Sequence, residues 1–107
     1  MIVRTFKCRT LPGKEEEWRS VESSYVPWLA SKPGLIAIYP GQSFIAGDRR
    51  SFVFVMIWES AEAIRAAVGD AWRRPIFFSD EDKLLERFEL EHFEVFNPVS
   101  RTTLGGD

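Results

Sequence analysis

The chain is poor in the residues that most often announce a function. It has one cysteine, one histidine and a formal charge of only −2. Cys8 alone cannot close an intrachain disulfide. One imidazole and one thiol among scattered carboxylates do not give the clustered ligands of a transition-metal site, so no metal is expected. No segment approaches the ~20 apolar residues of a membrane span. The opening "MIVRTFKCRT" lacks the apolar run of a signal peptide, which makes a cytoplasmic protein the expectation. Arg49-Arg50 and Arg73-Arg74 are too short to form the basic stripe that nucleic acids require, so no nucleic-acid partner is expected. No glycine-rich loop is present to cradle a nucleotide or flavin phosphate.

What is present is an ordinary folded composition rich in rings. Hydrophobic residues make up 45% of 107 residues and charged residues 28%, with nine Phe and four Trp. That length allows one hydrophobic core, burying roughly 60–70% of the unfolded surface. The rings point to a bulky core, a large interface or a flat-sided pocket.

Residues 1–10 alternate as a strand, with Ile2, Arg4, Phe6 and Cys8 on one parity. "LPG" stops it. Glu15, Glu16 and Glu17 then favour a helix N-terminus, and Trp18, Val21, Tyr25, Trp28 and Leu29 follow at helical spacing. Pro27 is expected to interrupt and kink that helix, and "KPG" to end it. Residues 35–45 are broken by Pro40-Gly41 and read as a bent or bulged edge strand. A third strand ends at Glu59. Ser60 caps a second helix whose Ile64, Ala67 and Val68 face inward, and Gly69 stops it. Ser79 and Asp82 have the spacing of a capping box for a short helix. Residues 89–96 form the last strand, and residues 97–107 read as a flexible tail. The fold class is therefore α+β: a ferredoxin-like βαββαβ domain over residues 1–96, with a four-stranded antiparallel sheet and its helices on one face.

The stretch "FVFVMIWES" tests that arrangement. A strand wet on one face alternates apolar with polar, yet Phe52, Phe54, Met56 and Trp58 oppose Val53, Val55 and Ile57. The helices cover one row. A second copy of the chain is expected to cover the other, giving a homodimer with its sheets face to face. The alternative is a monomer in which the tail or a long loop lies over that face.

The combination of "WESAEAIRAAVGD", an aromatic pair, "DED", "LLE" and "EHFEVF" resembles antibiotic biosynthesis monooxygenase-like domains of the dimeric α/β-barrel superfamily. The opening "MIVRTFKCRTLPGKEEEW" is similar to their first strand and helix, so the resemblance covers about residues 1–96. It implies two sheets closing a barrel, with a pocket in each protomer between sheet and helices. Chemistry is left open, because the superfamily includes cofactor-independent monooxygenases, haem-degrading enzymes, isomerases and dehydratases. The haem-degrading branch uses an Asn on the first strand and a Trp and His at the second helix. This chain has no Asn before Asn97 and carries Ala67 where the tryptophan is expected. No cofactor is the expectation, with haem through His92 as the alternative.

His92 is the one candidate general base for a phenolic or carbon-bound proton. As a structural residue it would hydrogen-bond across the sheet. Arg4 shares the parity of Phe6 and Cys8. If that face is covered, it needs an anionic ligand or a carboxylate such as Glu94. Trp58 and Trp72 could wall a pocket for an aromatic substrate or belong to the core. Tyr25 and Phe77 are weaker candidates of the same kind. Cys8 reads as a small buried hydrophobe. The expected function is a small-molecule-binding homodimer that oxygenates a phenolic or polyketide-like aromatic without a cofactor. A non-catalytic binding or structural dimer, or an isomerase or lyase on the same scaffold, are the alternatives.

Overall fold

The computed structural model describes residues 1–78 and 80–99. Along them run β1 (Ile2–Thr10), α1 (Glu15–Ala30), β2 (Leu35–Gln42), β3 (Ser51–Trp58), α2 (Ala61–Val68), a 3-10 turn (Glu81–Leu84) and β4 (Leu85–Glu94). The strands form one sheet in the order β2-β3-β1-β4, every neighbouring pair antiparallel. This is the ferredoxin-like α+β arrangement that the element order predicts.

Alternation decides what goes inside. Arg4, Phe6, Cys8 and Thr10 of β1 and Phe52, Phe54, Met56 and Trp58 of β3 are buried, and the register sets Phe6 beside Phe54 and Cys8 beside Phe52. Trp18 and Leu29, about three helical turns apart on α1, and Ile64 of α2 close over the same face. Each fully buried Phe, Leu or Ile contributes about 1.5–3 kcal/mol by leaving water. The opposite face carries Val3, Val53, Val55 and Ile57, with Tyr39 62% and Phe93 49% exposed beside them. Val3, Val53, Val55 and Ile57 are only half-buried, and toward one end the same face carries Lys7, paired with Glu89 and Glu91. No helix among the described residues is long and apolar enough to cross a membrane.

Local signals decide the element ends. Ser60 Oγ accepts the Ala63 N–H at 3.1 Å, capping α2 as its position suggests. Gly69 ends that helix at φ +97°, in the left-handed region that favours glycine.

Several expectations need correction. α1 runs unbroken through Pro27, because the proline stands in the last turn and costs only one backbone donor; the Ser31 N–H donates to the Pro27 carbonyl at 3.2 Å and closes the helix. β2 is an edge strand, but its register shifts between Leu35 and Ala37 and not at Pro40-Gly41, and the strand ends at Gln42. β4 begins at Leu85, well before the expected start at Glu89, and ends at Glu94. The proposed Ser79 cap lies outside the described residues; the helix beyond it is a 3-10 turn with no side-chain cap.

Candidate functional site

Between the inner face of the sheet and α1 lies an apolar cavity. β1 contributes Arg4 and Phe6, α1 Trp18 and Tyr25, and β3 Phe54 and Met56. The segment after α2 adds Pro75, Ile76 and Phe77 to the lining, and Glu81 is its one carboxylate. Phe77 meets Phe6 edge-on with ring centres 6.1 Å apart, while Tyr25 stacks on Phe54 at 5.8 Å. The space open to a water-sized sphere is ≈ 20 Å³, room for about one water.

One charged group is built into this apolar wall. Arg4 is 3% exposed, and its Nη1 donates to the Trp72 backbone carbonyl and lies 3.0 Å from His92 Nε2. The carboxylate suggested from sequence is not there: the β1–β4 register sets Arg4 opposite His92 and gives Glu94 to Ile2. Guanidinium can only donate. Nε2 of His92 is therefore the acceptor and the ring proton sits on Nδ1. Burial first, then the nearby charges of Arg4 and Arg73, lower the His92 pKa, so the ring is neutral at pH 7. Trp72 packs edge-on against the same imidazole at 4.9 Å.

The sequence candidates divide among three places. Arg4, Tyr25 and Phe77 line the cavity. His92 and Trp72 stand behind Arg4, touching it without lining the cavity themselves. Trp58 is 0% exposed and belongs to the core. Burial pushes the Tyr25 hydroxyl up to about 12 and the Cys8 thiol up to about 12, so both stay protonated at neutral pH. Glu81 is a lining residue that sequence reasoning misses. Its one signal is the acidic run after the aromatic pair, and its Oε1 accepts the Phe78 N–H at 3.1 Å.

Haem finds a poor fit here. The single imidazole has its Nε2 engaged by Arg4 and is not among the residues that line the cavity, so it is not placed to ligate haem there.

The fold is shared with many solved structures. A Deinococcus radiodurans protein assigned to the antibiotic biosynthesis monooxygenases aligns with a TM-score of 0.77 at 10% identity, over 94% of this chain and 97% of that one. SnoaB, a cofactor-independent oxygenase from Streptomyces nogalater, aligns at 0.67 and 21% identity over 92% and 96%. A point mutant of MhuD, solved with two manganese protoporphyrin IX per active site, aligns at 0.67 and 21% over 94% and 99%. At these identities the likeness is one of fold. No curated protein sequence matches. The antibiotic biosynthesis monooxygenase family model matches residues 1–74, more than half the chain, and with the strand order and cavity described above this chain belongs to that family.

Proposed function

We propose that this protein is a homodimer whose inner cavity binds a flat, largely aromatic small molecule and oxygenates it without a cofactor. The observation that carries the reading is a ring-lined cavity with one buried cation on its wall, on the scaffold of a monooxygenase family. Apolar walls with a single directing polar group suit a planar ligand presented in one orientation.

Arg4 and His92 are the polar pair assigned to the chemistry. His92, neutral at pH 7, is the candidate base for a phenol, enol or activated methylene; it stands behind Arg4, so the proton transfer requires Arg4 to move off Nε2 and open the ring to the cavity. Arg4 holds the resulting oxyanion. The electron-rich anion then reacts directly with dioxygen; a ring methylene becomes a carbonyl and the second oxygen atom leaves as water. Tyr25 and Phe77 shape and close the site, Trp72 orients Arg4 through its backbone carbonyl, and Trp58 supports the site from the core. The protein supplies orientation and a dry environment. SnoaB's description as a cofactor-independent oxygenase supports this reading; the MhuD mutant aligns equally well, and what weighs against haem is the position of His92 behind Arg4.

The outer sheet face supports the dimer. Val3, Val53, Val55, Ile57, Tyr39 and Phe93 form a row that two copies would bury against each other, closing the two sheets into one barrel.

Oxygen uptake with the anthrone dithranol tests the activity. Turnover that needs no added metal or flavin, and that falls by ~10² or more in His92→Gln, is expected. Uptake no faster than the uncatalysed background would leave a binding protein in place of an oxygenase.

A further inference from the structure

The buried cation on the cavity wall says more about the ligand than the rings do. This inference rests on the reading of the cavity as the ligand site. Both protein contacts of the Arg4 side chain are made through one atom, Nη1, to the Trp72 carbonyl and to His92 Nε2. Both partners are neutral. Among the described residues Nε and Nη2 have no partner, and no carboxylate forms an ion pair with this guanidinium.

A guanidinium taken out of water without a counter-charge is costly, and proteins normally place an acid against it. The groups facing Arg4 supply none. The Tyr25 hydroxyl, pushed up to about 12, stays uncharged. Glu81, the one carboxylate of the cavity lining, accepts the backbone N–H of Phe78. One end of the fork is thus tied back by a carbonyl and an imidazole, which orients the planar group, while the other end is left on the cavity wall.

We propose that the ligand of this cavity is an acid, a flat apolar molecule bearing one carboxylate or an equally acidic enol, bound as its anion by the Nε–Nη2 edge of Arg4. An arginine suits this task better than a lysine, because its rigid fork matches two oxygens of one oxyanion and fixes the plane of the ring attached to it. Phe6, Phe54 and Tyr25 then receive the ring system, and Phe77 closes over it. The anion lies at the Arg4 end, where its counter-charge is.

Titration of the protein with 2-naphthoate and with its methyl ester, followed by calorimetry at pH 7.5, tests this. The two probes share a ring system and differ in charge. Wild-type protein is expected to bind the naphthoate at least about tenfold more tightly than the ester. Arg4→Met is expected to lose that preference while its affinity for the ester changes less than about threefold. If Arg4→Met does not fold, the wild-type comparison still decides. Equal affinities for the two probes in wild type, or a preference that survives in Arg4→Met, would overturn the acid ligand and leave the cavity reading standing. If neither probe binds the wild type or Phe77→Ala, whose cavity is larger, the cavity reading fails and this inference with it.

Discussion

Arg4 and His92 face each other across the β1–β4 ladder, the first donating through Nη1 to the second's Nε2 at 3.0 Å. A cation and a base in this relation cannot both be protonated at low cost. The contact exists only while the imidazole is neutral.

The pH dependence of stability follows with a definite sign. Folding lowers the His92 pKa below its ordinary 6.5, so between those two values the unfolded chain binds the extra proton. Stability is then fully present above pH 6.5 and is lost as pH falls toward the folded-state value. Glu22 acts in the opposite sense: burial raises its pKa above the ordinary 4.5 and favours the folded chain at lower pH. Comparison of His92→Gln with wild type separates the two. The variant's melting temperature is expected to fall less between about pH 7 and about pH 5.5, and parallel curves would remove His92 as the cause.

Gly34 tests the approach of α2 to the chain before β2. It sits at φ +90°, and a Cβ there would come within 2.5 Å of the Ala63 Cβ. Gly34→Ala combines a left-handed conformation with a backbone-proximal clash, and about 3 kcal/mol of destabilisation is expected from a urea midpoint. A loss under ~0.5 kcal/mol would mean that the segment shifts freely.

The cap of α2 makes a smaller claim. Ser60→Ala removes the acceptor of the Ala63 N–H and is expected to cost ~1 kcal/mol, with Ser60→Asp restoring most of it. Chemical denaturation of the three proteins reads both effects.

Assembly is tested from the outer face. Val55 sits mid-strand on the uncovered row, opposite Thr5 on one side and Tyr39 on the other. Sedimentation velocity is expected to show a dimer in wild type and a monomer in Val55→Lys, because the charge cannot be buried between two sheets. A wild-type monomer at micromolar concentration would exclude the face-to-face pairing.

Much of this architecture is legible without coordinates. The two-residue period of β1 and β3 places Arg4, Phe6, Phe54 and Met56 on one face. The helical spacing of Trp18 and Tyr25 brings them over it. The start of β4 is hidden because Glu86 and Arg87 put charges on both sides of the strand's first residues, and only pairing with β1 recruits them into the sheet. Trp58 looks like a pocket wall and is core, since a ring at the end of a central strand gives no sign of whether a helix closes over it. The hold on Arg4 cannot be read at all, for a backbone carbonyl in an irregular loop leaves no mark on the sequence. His92 is visible as a lone imidazole, but its facing Arg4 depends on the register.

Arg50 holds both backbone groups of Thr10: its carbonyl accepts the Thr10 N–H at 2.8 Å, and its Nη1 donates to the Thr10 carbonyl at 2.9 Å. It does so where the β1–β4 register shifts, beside Arg9 and Thr10. These two bonds fit only the native alignment of β1. A β1 slipped by one residue would turn Arg4 and Phe6 to the outside, empty the cavity wall and present the wrong peptide to Arg50. One strand thus carries both the register-dependent contact with Arg50 and the Arg4–Phe6 wall of the cavity, so neither can be kept without the other.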